Sequence, residues 1–466
     1  MDVSQKLITI LGKKGWVGPD DSVPWQRDWL DKYGEIPLGV ARPSSTKELQ
    51  QVIRICYSNK VSVVPQGGNT GLVGAGVLDS PGGIIISLSR MDAISNLDIS
   101  SSIIEVEAGV ILENLHMQLR GTDFFFPMHL GSQGSAQIGG LIATNAGGSH
   151  AFRYGMMQDL VIGLEVVLAD GTIWNGMRSV QKDNAGYQLR KIFCGSEGTL
   201  GIITKAVLKL APFLKNNSTA LLAIKDISSL MKLANRFRSE CGEFLTAMEF
   251  FSDLGVDIAM KHIPDLVFPL NNRTPIYLLV EVGSCSDKVP LDELLSDVIE
   301  WGIDEDIIID GSIAASEAQK LVFWRLREDQ PEGQRRLGQQ LKHDISVPPS
   351  MLNEFIKDAE LECNQTLSGV IINYFGHLGD GNIHFNLSPP MGEKNFSNLD
   401  KEFGIKLARI ATRMGGSFAA EHGIGRAKIE LTDLIRDPIE RDLMLQIKKA
   451  FDSKNSLNPG ALISFK

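Results

Sequence analysis

The chain has 466 residues, 43% hydrophobic and 22% charged, so two or three domains with packed cores are expected and wholesale disorder is excluded. A net charge of -10 argues against a nucleic-acid-binding surface, which is normally basic. No apolar run approaches the roughly 18 residues of a membrane span. The start, MDVSQKLITILGKK, carries neither a basic leader nor a signal-like apolar core. Cys56, Cys194, Cys241, Cys285 and Cys363 are scattered with no C-x-x-C pair. Such sparse thiols suggest a reducing compartment, and the expectation is a cytoplasmic protein, loosely associated at most with a membrane electron-transfer chain.

In chain order, Ser45 and Glu48 can form a capping box, and Leu49, Val52, Ile53 and Cys56 follow at helical spacing. Val61–Val64 reads as a buried strand running into PQGGNTGLVGAG (Pro65–Gly76). Further strands are predicted at Gly83–Leu88, Ile103–Val106 and Val161–Ala169, the last turning through Asp170-Gly171 into Thr172–Trp174. Leu200–Leu210 closes this region. Beyond Pro212 glycine clusters become rarer. Strands are predicted at Ala220–Ile224, Ile276–Val282 and Val370–Tyr374. Helices are predicted around Ile227–Ser239, Leu291–Trp301, Met351–Cys363 and Leu399–Met414. This pattern predicts an antiparallel sheet with helices on one face. A helical tail spans about Ile429–Asp452 and ends at LNPG (Leu457–Gly460).

The first half holds three glycine clusters. Pro65–Gly76 is neither a Walker A loop, lacking G-K-[ST], nor a G-x-G-x-x-G turn. Its successive glycines let backbone N–H groups converge on an anion such as a pyrophosphate. GSQGSAQIGG (Gly131–Gly140) with TNAGG (Thr144–Gly148) is the second cluster, and GSEGTLG (Gly195–Gly201) the third. Three clusters in one domain suggest a long ligand gripped by main chain, and FAD fits that description.

The run GHLGDGNIHFN (Gly376–Asn386) places two histidines about an Asp-Gly turn. A two-residue loop at Asp380-Gly381 pairs Gly379 with Asn382, Leu378 with Ile383 and His377 with His384. Opposed imidazoles can share one divalent metal at M–N distances near ~2.0–2.1 Å. Asn386, two residues past His384, projects from the same face. EHGIG (Glu421–Gly425) offers Glu421 as a third ligand, completing a His2Glu set with a position open for substrate, and His422 as a base. Gly423 and Gly425 permit the bend that lets both neighbours face one pocket.

These segments together resemble the vanillyl-alcohol-oxidase/PCMH flavoprotein superfamily. The hairpin, EHGIG and LNPG are similar to the FAD-linked oxidase C-terminal domain, in its D-2-hydroxyacid dehydrogenase branch and most closely the D-2-hydroxyglutarate dehydrogenases. The resemblance runs from about Ile36 to Leu462. It implies an α+β fold: a PCMH-type FAD-binding domain at 1–213 with a short N-terminal helical segment, an α+β substrate and metal domain at 214–425, and a C-terminal helical segment at 426–466 returning to the FAD domain. FAD, bound non-covalently, is expected at Pro65, Gly67, Gly68, Asn69, Thr70, Gly71, Leu72 and Gly76. The second cluster contributes Gly131, Ser132, Gly139, Gly140, Thr144, Asn145, Gly147 and Gly148. Glu197, Gly198, Gly201, Ile202 and Asn458 complete the set.

The resemblance further implies that His377, His384 and Glu421 bind Zn2+ or a similar divalent metal such as Mn2+, and that His422 is the catalytic base. Arg327, in WRLRE, and Lys342, in KHDISVP, match substrate-carboxylate anchors, and Asn386 and His422 contact substrate. One departure stands out: the hydroxyglutarate branch carries threonine four residues after the arginine, where this chain has Pro331. The expected reaction is oxidation of a D-2-hydroxy acid, D-2-hydroxyglutarate foremost and D-lactate or glycolate as alternatives. Electron-transfer flavoprotein is the favoured acceptor, over a quinone or slow oxygen, and a homodimer is expected. Rival readings are a metallohydrolase, a nicotinamide-linked reductive flavoenzyme and a non-catalytic flavin-binding protein. At the residue level, Arg327 and Lys342 could instead serve salt bridges with Glu328 or Asp344.

Overall fold

The computed structural model describes residues 2–396 and 398–465. It divides into two compact units. The first comprises Met1–Gly148, Tyr154–Pro212 and Glu421–Lys466; the second comprises Ser149–Arg153 and Phe213–Ala420. The sequence assigns Glu421–Gly425 to the substrate domain, whereas the structure gathers them with the first unit. The backbone shows why: Ile424 and Gly425 N–H groups donate to the Glu197 carboxylate, and Arg426 N–H donates to the Val73 carbonyl.

In the first unit, helix Thr46–Ser58 starts where Ser45 Oγ accepts from Glu48 N. The reciprocal arm reaches Ser44 N, one residue before the position a capping box predicts. Leu49, Val52, Ile53 and Cys56 are buried. Strands Gly39–Ala41, Ile84–Ser87 and Val63–Gln66 pair in parallel, with Trp16–Val17 antiparallel at the edge. A second, antiparallel sheet has the order Ile94–Asp98, Ile103–Glu107, Ile202–Lys209, Val161–Val167, Ile173–Gly176. The single helical tail expected from about Ile429 is two helices, Ile429–Ile435 and Pro438–Phe451. Pro438 disfavours helical backbone at Asp437, whose carboxylate instead caps the second helix through Ile439 N.

The second unit is built on a seven-stranded antiparallel sheet. Its order is Ile308–Ile313, Asn216–Ile224, Ile276–Ser284, Leu245–Ser252, Ile371–His377, Asn382–Ser388, Leu341–Ser346. Helices Ile227–Cys241, Leu291–Asp304, Leu352–Thr366 and Asp400–Arg413 cover one face and match the four predicted ones. Helices on that face alone are not what forms. Asp253–His262 and Glu317–Glu328 cover the other face over Phe251, Tyr277, Leu279 and Phe375, followed by the short helix Gln330–Arg335. The central strands explain the difference. Every residue of Ile276–Ser284 and Leu245–Ser252 is buried, so both faces need a covering layer.

Candidate active site

The first unit contains a cleft in whose walls glycine recurs. Pro65, Gly67, Gly68, Asn69, Thr70, Gly71 and Gly76 line it from the first glycine cluster. Gly139, Gly140 and Thr144 line it from the second, Glu197, Gly198, Gly201 and Ile202 from the third, and His422 from the C-terminal segment. Two glycines play different parts. A Cβ on Gly68 would lie 1.9 Å from the Ser135 carbonyl oxygen, so only glycine lets these loops approach. A Cβ on Gly71 would meet no protein atom within 4 Å. Its bareness leaves room in the cleft, a cradle suited to a ligand held by backbone N–H groups.

Other expected cofactor residues lie outside the lining. Asn145 accepts from Gln158 N at 2.8 Å, and Gly148 N donates to Glu421 Oε1 at 2.9 Å. Leu72, Gly131, Ser132 and Gly147 are likewise absent from the walls. Asn458 works behind the cleft: its Nδ2 donates to the Ala75 and Glu197 carbonyls at 2.9 and 2.7 Å. Arg426 joins it, donating to the Gly74, Ala75 and Pro459 carbonyls and to Asn458 Oδ1. Burial pushes the Glu197 carboxyl up to about 6, against the opposing pull of two backbone donors, Ile424 N and Gly425 N. Ala75 and Gln137, inside the predicted clusters but not among the expected contacts, also line the cleft, as does Asp28, which the sequence reading missed.

In the second unit the histidine hairpin forms in a different register. His377 pairs with Asn382, and His384 with Phe375. The loop is therefore four residues, Leu378–Gly381, and not two. Buried Leu378 extends toward the neighbouring strand, its N–H donating to Met248 O, and Gly381 N returns to His377 O. Gly381 takes φ +78, where a Cβ would meet the Val347 carbonyl at 2.0 Å. The slip is two residues, and side-chain direction repeats every two, so both histidines keep the same face. Their ring centroids lie 5.7 Å apart.

Around them the ladder aligns a polar group on that face. Glu249 sits opposite His377, Asp344 opposite His384, and Lys342 and Asn373 opposite Asn386. His377 Nδ1 lies 2.6 Å from Glu249 Oε1, and His384 Nδ1 lies 3.9 Å from Asp344 Oδ1. His377 thus has a carboxylate at hydrogen-bond distance of its Nδ1, the arrangement that orients a histidine to ligate through Nε2, whereas Asp344 lies beyond hydrogen-bond distance of His384 Nδ1. A ring nitrogen of each histidine lies within 4.8 Å of the other's, close enough for one ion to be shared between them.

Arg327 comes from the last turn of Glu317–Glu328. Its Nε is 3.0 Å from Glu249 Oε2, and its guanidinium carbon lies 4.5 Å over the Phe375 ring. The carboxylate it meets is neither Glu328 nor Asp344. Asn386 Nδ2 donates to Gln334 Oε1 at 3.3 Å. Pro331 occupies the first turn of Gln330–Arg335, where a missing N–H is harmless. Glu249 escaped the sequence reading, although a lone carboxylate inside the apolar run LTAMEFFS was a usable signal.

Residues 37–176 match the family described as FAD binding domain, and residues 214–462 match FAD linked oxidases, C-terminal domain. The chain belongs to the FAD-linked oxidase family. It is 35% identical over 456 residues to the mitochondrial D-2-hydroxyglutarate dehydrogenase of Arabidopsis thaliana, covering 97% of this chain and 79% of that one. The mitochondrial D-2-hydroxyglutarate dehydrogenase of Rattus norvegicus is 34% identical over 434 residues, covering 93% and 79%. In fold, this FAD-linked oxidase superposes on substrate-bound p-cresol methylhydroxylase with a TM-score of 0.75 at 16% identity, covering 98% of this chain and 95% of that one.

The protein is therefore an FAD-dependent oxidoreductase with the expected PCMH-type α+β fold. The comparisons overturn the cytoplasmic expectation, because both relatives are named mitochondrial. That expectation rested on dispersed thiols. A reducing environment is not particular to the cytosol, so the argument could not separate the two compartments. Among the described residues, no helix is long and apolar enough to cross a membrane.

Proposed function

We propose that this FAD-linked oxidase converts a D-2-hydroxy acid, D-2-hydroxyglutarate foremost, to the 2-oxo acid. What supports the reading most directly is the shared sheet face of His377, His384, Asn386 and Lys342, with Arg327 beside it, in a chain related to D-2-hydroxyglutarate dehydrogenases. In this reading His377, His384 and Glu421 hold a divalent cation, Zn2+ or Mn2+. When bound, the cation lowers the pKa of the substrate hydroxyl, and FAD, when bound, takes the hydride. His422 accepts the hydroxyl proton as general base; an imidazole suits that task near neutral pH. Arg327 and Lys342 anchor carboxylates, the first as a planar fork and the second as a point charge. Asn386 supplies a hydrogen bond to the substrate. Electron-transfer flavoprotein is the proposed acceptor and a homodimer the proposed assembly; both rest on family resemblance.

Glu421→Ala is expected to lose metal and turnover together while retaining FAD. Near-normal turnover of that variant in metal-free buffer would falsify the metal role. A smaller monocarboxylate, D-lactate or glycolate, is the second reading, and one observation favours it. Arg327 already faces the Glu249 carboxylate, which reduces the positive charge on offer to a second substrate carboxylate. Arg327→Ala separates the two: it should damage turnover of D-2-hydroxyglutarate more than that of D-lactate. Equal losses remove the diacid.

A further inference from the structure

Glu249 is the one acidic residue of its strand, Leu245–Ser252, and it is 1% exposed. Its two oxygens are committed to different partners. Oε1 lies 2.6 Å from His377 Nδ1, and Oε2 lies 3.0 Å from Arg327 Nε. The strand ladder sets the first contact by placing Glu249 directly opposite His377. The second is set by Arg327 lying over Phe375, the ladder neighbour of His384. Both partners are themselves buried.

An ionised carboxylate only accepts hydrogen bonds. Facing Oε1, His377 presents Nδ1 to the carboxylate, which leaves Nε2 as the atom that can ligate a metal when the ring is neutral. The same carboxylate also faces the Arg327 guanidinium. An incoming anion at Arg327 meets a pair already near neutrality instead of an isolated cation. The two consequences have opposite signs for two ligands.

We propose that Glu249 is a positioning residue that strengthens divalent-cation binding through His377 and weakens carboxylate binding through Arg327. This rests on the reading that His377 is a ligand and Arg327 an anchor. One buried carboxylate then sets the balance between holding the cation and releasing an anionic product.

The test uses the FAD-loaded enzyme and Glu249→Gln, which keeps the volume and removes the charge. Zn2+ affinity is measured by competition with a chromophoric chelator. Glutarate, a five-carbon dicarboxylate with no hydroxyl to oxidise, is titrated in metal-free buffer. Zn2+ should bind about 10–100-fold more weakly, and glutarate several-fold more tightly. A merely structural role weakens both, and that result overturns the proposal. Parental Zn2+ affinity in Glu249→Gln overturns the role of Glu249 alone. Parent enzyme that binds Zn2+ no better than His377→Ala overturns the metal reading beneath it. If Glu249→Gln does not retain FAD, Glu249→Asp keeps the charge but draws it away from both partners. It should shift both affinities in the same two directions by smaller factors, and no shift in either overturns the proposal.

Discussion

Arg426 should prove to be a principal anchor of the cofactor cleft without lining it. Its guanidinium donates to the Gly74 carbonyl at 3.0 Å, the Ala75 carbonyl at 3.3 Å, Asn458 Oδ1 at 2.9 Å and the Pro459 carbonyl at 3.1 Å. Arg426→Met keeps the packing of the stem and removes every donor. The Ala75 carbonyl keeps a second donor in Asn458 Nδ2, so the loss falls on the other three acceptors. A part-buried acceptor left unsatisfied costs about 1 kcal/mol at the low end of the usual range, which makes the total about 3 kcal/mol. Urea unfolding followed by release of flavin fluorescence reports on the unit that contains the cleft. With a slope of about 3 kcal/mol/M for a unit of this size, the midpoint should fall by about 1 M. Arg426→Lys can still serve some of the acceptors and should fall by less. A midpoint for Arg426→Met within about 0.2 M of the parent, on the same slope, would refute the reasoning, because the carbonyls would then be finding water or new partners.

Glycines at two positions of one loop should respond differently to alanine. Gly68→Ala places a Cβ 1.9 Å from the Ser135 carbonyl, so the apoprotein itself should melt at lower temperature. Gly71→Ala meets no protein atom within 4 Å, so its apoprotein should melt like the parent while FAD affinity, read by fluorescence quenching, falls. A matched loss of thermal stability in both variants would disprove the distinction. Glu197 makes a pH-dependent contribution. Burial raises its folded-state pKa from 4.5 to about 6, so the folded state holds the proton more tightly than the unfolded chain does. That stabilisation is complete below pH 4.5 and is lost as pH rises through about 6, a change of about 2 kcal/mol. Glu197→Gln does not titrate, so the stability difference between parent and variant should move by that amount across this window. A constant difference from pH 4.5 to 6.5 would show that the carboxyl titrates normally, against the shift from which this was worked.

Much of the first unit was legible because its signals are local. The Ser45 cap, the apolar spacing of Leu49, Val52, Ile53 and Cys56, and the Asp170-Gly171 turn each act over a few residues, and each corresponds to an observed feature. The second unit was less so. The strands Leu245–Ser252, Ile308–Ile313 and Leu341–Ser346 escaped notice, as did the helices Asp253–His262 and Glu317–Glu328. In a sheet covered on both faces, strands lose the apolar-polar alternation that identifies them, and a run such as LTAMEFFS fits either secondary structure. Polar residues on the buried face, such as Glu249, then read as interruptions.

The hairpin shows why two side chains can remain neighbours despite an error in the register inferred for them. Asp-Gly was read as a two-residue turn, but Leu378 is wholly buried, which lengthens the loop to four residues. That preference is tertiary: it depends on a core the local sequence cannot display. The face was still right, because an even slip preserves side-chain direction, and His377 and His384 remain neighbours with ring centroids 5.7 Å apart. An odd slip would have separated them. The carboxylates behind them could not be inferred by the same route. Glu249 lies 128 residues from His377 in the chain, and Asp344 reaches His384 only through a strand absent from the sequence reading. Short-range pattern located the histidines, while the carboxylates were placed beside them by strand order, which short-range pattern does not contain.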